Sequence, residues 1–331
     1  MVGRNIYMSC IVIFVVILAV CISDAIYAKD NITSAPACVE SAAPQPLPAP
    51  EAFTHYEGSS LVEVEDAPPT SVNCGIEEDQ ILLDAKGVIV KTQGMAFDEA
   101  IGPMICVSIE NTNDEAIDLF SEYIVINGIM IPEIISSHVD ANCTEDTFFS
   151  FMDDPFAAYG IETIADIQVV FELLDTETLE PYYTSETIHI HTSLSGEYKQ
   201  NYDSSGTLVF EDENFKVVYQ GISDTRGYDP VLHFYIENND DKPVGISTSQ
   251  FYLNNKHTDY SPVFWYNMLP RTKGYAEVKL IFTEMNQQAD GELENIAFYL
   301  DIIEPSTYDR YLEIGPLVIN MKAPADGSGS L

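Results

Sequence analysis

Two histidines one residue apart, His189 and His191, are the first candidates for chemistry. Strand alternation puts both imidazoles on one face, as a zinc or copper pair requires. A third ligand would have to be Glu186, the nearest carboxylate in the chain. The same spacing equally describes two polar residues facing solvent beside Ile188 and Ile190. Cys106 is a nucleophile candidate by type, but it sits in an alternating strand and no recognisable base accompanies it. The chain has no Gly-x-Ser-x-Gly, His-Glu-x-x-His, phosphate-loop or dinucleotide pattern. With 53 acidic side chains, some pair always falls at glycosidase separation, so abundance selects none of them. The acidic turns Asp140–Asp146 and Asn238–Asp241 offer oxygen ligands for calcium, and the first lacks the glycine an EF-type loop needs. No catalytic residue and no cofactor is expected.

One stretch suits binding better than catalysis. Tyr260-Ser-Pro-Val-Phe264-Trp265-Tyr266 contains the only tryptophan, and aromatic side chains beside a loop stack on sugars or anchor a protein partner. Val263 and Trp265 can alternatively close the end of a core. Tyr260, Phe264, Trp265 and Tyr266 are therefore the candidate ligand-binding residues.

Charge limits the partners. Fourteen basic against 53 acidic residues give a formal charge of −39, a field that repels nucleic acid and anionic membrane surfaces. A surface protein or a glycan remains the expected partner, with membrane contact only through the N-terminus. There, Arg4 precedes an apolar run from Ile6 to Ile22, which fits a secretory signal cleaved after Ala25 or Ala28. It also fits an uncleaved anchor. Leu18-Ala19-Val20-Cys21 approximates a lipobox, with Val20 where a small residue belongs. All three alternatives place the remainder outside the cytoplasm, where disulfides persist. Outside the apolar run, the candidates for disulfides are Cys38, Cys74, Cys106 and Cys143, with their pairing open.

The elements that must position these residues occur twice. Ile105-Cys-Val-Ser-Ile-Glu-Asn111 and Leu232-His-Phe-Tyr-Ile-Glu-Asn238 are alternating strands that run into polar turns, 127 residues apart. Phe215–Tyr219 matches Val88–Thr92, and Phe251–Asn255 matches Ile124–Gly128, whose Asn127-Gly128 is a strong hairpin signal. Ala276–Phe282 pairs with Glu145–Phe151, Ile296–Ile302 with Ile167–Leu173, and Leu317–Met321 closes the second copy as Thr187–Thr192 closes the first. Short strands with frequent turns and little helical periodicity predict an all-β chain of two tandem Ig-like antiparallel β-sandwiches. The expected organisation is a signal or anchor helix over 1–28, an acidic Pro-rich disordered spacer over 29–79 and a first sandwich over 80–193. A polar linker over 194–206, a second sandwich over 207–322 and a flexible tail over 323–331 follow. The spacer assignment rests on seven of the 18 prolines and ten acidic residues against one basic.

In this order of segments the chain resembles a group of uncharacterised extracytoplasmic proteins of Gram-positive bacteria with Ig-like repeats. Ile109-Glu110-Asn111, Ile236-Glu237-Asn238, Ile126-Asn127-Gly128 and Gly160-Ile161-Glu162-Thr163-Ile164 carry the resemblance. The second copy departs from it at Leu253-Asn254-Asn255 and Gly291–Ile296. The resemblance covers 80–321 and implies secretion and a non-catalytic binding or spacing role, with carbohydrate recognition through the Trp265 stretch as the alternative. Intact-mass measurement of protein recovered from the producing cell separates the N-terminal alternatives. Loss of residues 1–25 or 1–28 is expected; a full-length mass, or a lipid adduct on Cys21, selects the other two.

Overall fold

The computed structural model describes residues 54–56, 75–98, 102–132, 134–151, 156, 158–223, 230–258, 262, 264–281, 285 and 293–321. The signal segment, most of the expected spacer, the tail 323–331, Cys38, Cys74 and Tyr260 lie outside them. Among the described residues no helix is long and apolar enough to cross a membrane. The described residues are almost entirely β.

Strands β1 (Thr54–Tyr56), β2 (Ile81–Ala85), β3 (Val88–Asp98), β4 (Gly102–Asn111), β5 (Ile117–Ile126), β6 (Ile129–Ile131), β7 (Ser136–Val139) and β8 (Cys143–Ser150) come first. Then follow β9 (Asp166–Asp175), β10 (Pro181–Thr184), β11 (Ile188–His191), β12 (Thr207–Glu211), β13 (Phe215–Ser223) and β14 (Val231–Asn238). The last are β15 (Val244–Leu253), β16 (Lys256–His257), β17 (Trp265–Met268), β18 (Thr272–Lys279), β19 (Asn295–Ile303) and β20 (Arg310–Asn320).

Pairing follows one order in both halves. Strands β2-β3-β4-β8 form one sheet, and β12-β13-β14-β18 pair in the same succession. Strands β9-β5-β6 correspond likewise to β19-β15-β16, with β7 and β17 lying on β5 and β15. Alternation fills the space between facing sheets: Val88, Val90, Ile105, Val107 and Ile109 are buried, as are Val217, Phe234, Ile236, Ile246 and Phe298. Phe149 meets Phe171 at 5.6 Å between ring centres, and Phe234 meets Phe298 edge-on at 6.4 Å. Even the irregularities recur. The β3–β4 register slips between Thr92 and Gly94, and the β13–β14 register between Tyr219 and Gly221. Each glycine adopts a positive φ, 121° and 135°, as a bulge demands. The β8 and β18 registers correct one alignment. Cys143 stands opposite Asn111 and Thr272 opposite Asn238, so the local offset is 129 and Gly274, rather than Ala276, occupies the place of Glu145.

The asparagine of each Ile-Glu-Asn phrase is buried. The Asn111 amide donates to the carbonyls of Glu115, Val139 and Asp140 at 2.9–3.3 Å, and its oxygen accepts from the Asn113 N–H. Asn238 donates to the carbonyls of Lys242 and Leu269 at 2.9 and 3.0 Å and accepts from the Asp240 N–H. Each side chain thus satisfies backbone groups at strand ends that water cannot reach. Asn238 is thereby withdrawn from the oxygen ligands that the Asn238–Asp241 turn could offer a calcium ion.

Two boundaries differ from expectation. Residues ahead of 80 take part in the fold: Ile76 is buried and bridges Thr192, and Gly75 N–H donates to Ser193 Oγ. Within the expected spacer, β1 runs parallel to β20 and pairs its open edge. Proline content signals poor core-forming capacity, but it does not prevent a short segment from completing an existing sheet.

The stretch 194–206 is held rather than loose. Tyr202 Oη donates to the Asn127 carbonyl at 2.9 Å, Lys273 Nζ lies 4.4 Å from the Tyr202 ring centre, and Asp203 N–H donates to Tyr275 Oη at 2.9 Å. Tyr159 stacks on Tyr275 at 4.8 Å, and Tyr266 Oη donates to the Met130 carbonyl. Lys273 N–H bonds the Gly128 carbonyl, joining β6 to β18 in parallel. Val218, Tyr235 and Tyr275 pack into the first core, while Val125, Met130 and Val170 pack into the second. Burial pushes the Tyr275 phenol up to about 12. Asn238→Ala strands the buried Leu269 carbonyl and the part-buried Lys242 carbonyl and should cost about 2 kcal/mol in denaturant unfolding, since an unpaired buried group costs about 1–3. A cost below about 1 kcal/mol would show that water replaces the side chain.

Candidate functional site

Strand β17 divides the aromatic stretch between two faces. Tyr266 pairs with Ile246 and points inward, its ring against Gly274. Burial holds its phenol well above the ordinary range. Trp265, one residue earlier, points outward and is 42% exposed. Phe264 packs, partly buried, against the second core. The core-closing role expected of Trp265 therefore belongs to its two neighbours.

Register places Trp265 at the end of a row. Trp265 lies opposite Ser247 on β15, Ser247 opposite Asp301 on β19, and Asp301 opposite Glu313 on β20. Directly paired residues share a face, and strands lie about 4.8 Å apart, so the row spans roughly 14 Å. Gly245 makes room for the indole, because a Cβ there would come within 2.7 Å of Trp265 Cζ2. Trp265 Nε1–H donates to Asn267 Oδ1 at 2.6 Å, which orients the ring. Tyr308, 70% exposed, sets its ring 5.5 Å from the indole, tilted by 54°. Arg310 bonds Asp301 at 3.2 Å and also Glu313, and Gln250 Nε2 donates to Glu313 at 3.0 Å. Nearby, Tyr311 donates to Glu304, which pushes the phenol up to about 12 and holds the carboxyl below its usual value. The face thus combines two solvent-facing rings with side-chain donors and acceptors held by one another.

Trp265 was a candidate from the sequence; Tyr308, Asp301, Arg310 and Glu313, which lie around it, are distant in the chain and were not. Asp301 carried one signal: a lone charge within the apolar run Asn295–Ile303. In the first half the equivalent row reads Ser136, Phe120, Glu172, Thr184 and has no tryptophan.

The other candidates remain separate from this face. His189 and His191 do share one face of β11, with ring centres 6.1 Å apart, and His191 contacts Asp166 at 3.2 Å. Among the described residues no group of three or more His, Cys, Asp or Glu gathers to hold a metal. Cys106 stands opposite Phe148, and Cys143 opposite Asn111, five positions along the paired strands (106 to 111). That separation is roughly 17 Å, beyond the ~7 Å a disulfide spans, so these two cysteines do not pair with each other.

A groove of about 560 Å³ runs between the halves, lined by Glu122, Tyr123 and Glu186 on one side and Pro243, Glu304 and Ser306 on the other. Burial raises the Glu122 carboxyl. Glu172 is raised by burial and then by the Glu122 charge. An acid–base pair needs two carboxylates pushed apart, and these are pushed the same way.

No family model matches the sequence, and no curated protein matches it. Solved structures similar to parts of the chain include a protein of unknown function from Porphyromonas gingivalis W83. It is 11% identical, covering 71% of this chain and 98% of that one, with a TM-score of 0.19. A red sea bream transglutaminase is 9% identical, covering 76% of this chain and 32% of that one, also with a TM-score of 0.19. Neither likeness carries weight for fold or activity.

Because the Glu172 pKa is raised in the fold, the stability linked to its proton is present below the ordinary value of 4.5 and lost as pH rises through the raised value. Glu172→Gln should therefore raise the thermal midpoint at pH 7, with the gain vanishing below about pH 4.5. An equal gain at both pH values would assign the effect to packing.

Proposed function

We propose that this chain is a non-catalytic binding and spacing protein, exported and displayed outside the cytoplasm, built from two Ig-like repeats. The observation that carries the binding role is Trp265, held open on a polar sheet face by Gly245, Asn267 and Tyr308. A spacing role is supported by the junction, where tyrosines from both halves share cores and leave little freedom for hinge motion. Export is supported by the apolar run Ile6–Ile22 behind Arg4.

A second reading, recognition of carbohydrate, is favoured by the row itself. Exposed rings beside carboxylate acceptors and guanidinium donors match a ligand with C–H faces and many hydroxyls better than the apolar anchors of a protein interface.

Binding of the full-length protein to a glycan array and to cell-surface protein extracts tests both. Binding that Trp265→Ala abolishes is expected, with a stability loss of no more than about 1 kcal/mol because the ring is largely outside the core. Tyr266→Ala should instead cost about 3 kcal/mol. Retained binding in a folded Trp265→Ala variant would remove the site. Absence of binding to either class would leave only the spacing role.

A further inference from the structure

We infer that the row Trp265–Ser247–Asp301–Glu313, with Tyr308 and Arg310, takes an uncharged pyranose chain laid across the strands of the second half. The inference rests on the carbohydrate reading above and adds the ligand's charge class and its direction on the sheet.

Geometry sets the direction. The four row residues lie on four neighbouring strands, β17, β15, β19 and β20, so a ligand that reaches from Trp265 to Glu313 crosses the strands rather than following one. The row has the length of a short oligosaccharide. At one end Trp265 and Tyr308 offer ring surface for the C–H face of a sugar, and the indole is seated over Gly245. At the other end the Arg310 guanidinium bonds both the buried Asp301 and the exposed Glu313, so the remaining Arg310 N–H groups and Glu313 lone pairs are held in fixed positions for sugar hydroxyls. Gln250 adds an amide to Glu313.

Charge sets the class. The row's cation, Arg310, is already shared between two carboxylates, which leaves the row with a net negative charge. Lys242 stands 6.0 Å from the Tyr311 ring centre, beside the Glu304 carboxylate. A uronate, sialate or phosphate group would meet no uncommitted cation on this row, and the chain's charge of −39 adds repulsion. Hydroxyls of an uncharged sugar carry no such penalty.

The equivalent row of the first half, Ser136–Phe120–Glu172–Thr184, lies on the corresponding strands β7, β5, β9 and β10 and lacks both the tryptophan and the arginine–carboxylate cluster. It serves as an internal control.

The chain holds one tryptophan, so intrinsic emission reports this face directly. Full-length protein is titrated with neutral gluco-, manno-, galacto- and xylo-oligosaccharides and with anionic polygalacturonate and heparin fragments. Tryptophan emission and calorimetry are read together. The expected result is a shift in emission and measurable heat with at least one neutral series, at an affinity that rises with chain length. By calorimetry, Trp265→Ala and the exposed Tyr308→Ala should each weaken binding about ten-fold or more, equivalent to about 1.4 kcal/mol. Ser136→Ala should bind as the unaltered protein does. Binding confined to the anionic series would overturn the uncharged class while leaving the carbohydrate reading intact. Absence of response to every glycan by the folded protein, or a tryptophan shift produced only by a surface protein, would overturn both. Equal binding by folded Tyr308→Ala and Trp265→Ala variants would move the ligand off this face.

Discussion

Sheets that face one another must end in turns, and backbone groups at those turns point partly into the core, where water does not reach. Four asparagines hold backbone groups at such turns, three of them buried and Asn254 half-buried. Asn111 and Asn238, the last residues of β4 and β14, satisfy carbonyls in the turns that follow them and at the ends of β7 and β17. Asn127 accepts from the Ala165 and Asp166 amides, and Asn254 accepts from those of Glu294 and Asn295. Both members of the second pair adopt left-handed φ, 51° and 48°, a conformation asparagine tolerates. Each pair is separated by 127 residues. The Ile-Glu-Asn phrase persists in both copies because its last residue ties one strand end to the loops that pass it.

The junction depends on the same hairpins. The Asn127-Gly128 turn that Asn127 holds from within presents its outer carbonyls to Tyr202 and Lys273. Tyr159, Tyr266 and Tyr275 then fill the space behind it. Tyrosine suits this place, since its ring supplies buried area and its hydroxyl satisfies a carbonyl or amide that a phenylalanine would leave unpaired. The linker's polar composition reflects hydrogen bonds to both halves. Composition alone reads the same whether such groups bond to protein or to water.

With the scaffold common to both halves, what distinguishes them sits on outward positions. Phe120 and Ser247 occupy equivalent places, as do Glu172 and Asp301, yet one row is half-buried beside the groove between the halves and the other carries an exposed indole. Outward side chains are free to diverge because no facing sheet constrains their volume. In the second half that freedom produced a coherent arrangement, with an arginine fixing two carboxylates and a glycine seating a tryptophan.

Alternation by itself determined which residues of β4 and β14 face the core, and turn chemistry determined where the hairpins close. The recurrence of Ile109-Glu110-Asn111 at Ile236-Glu237-Asn238 determined that one strand pattern was used twice. Those signals are local, because a strand's period and a turn's φ preferences are written within a few residues. Cross-strand register was decided only in three dimensions. It brings Trp265, Ser247, Asp301 and Glu313 into one row, sets Cys106 five positions from the residue facing Cys143, and makes Tyr266 rather than Trp265 the inward ring. A bulge that moves register by one residue exchanges the two faces, and its effect is felt on strands remote in the chain. For that reason the tryptophan was legible as a candidate, while the residues that surround it were not.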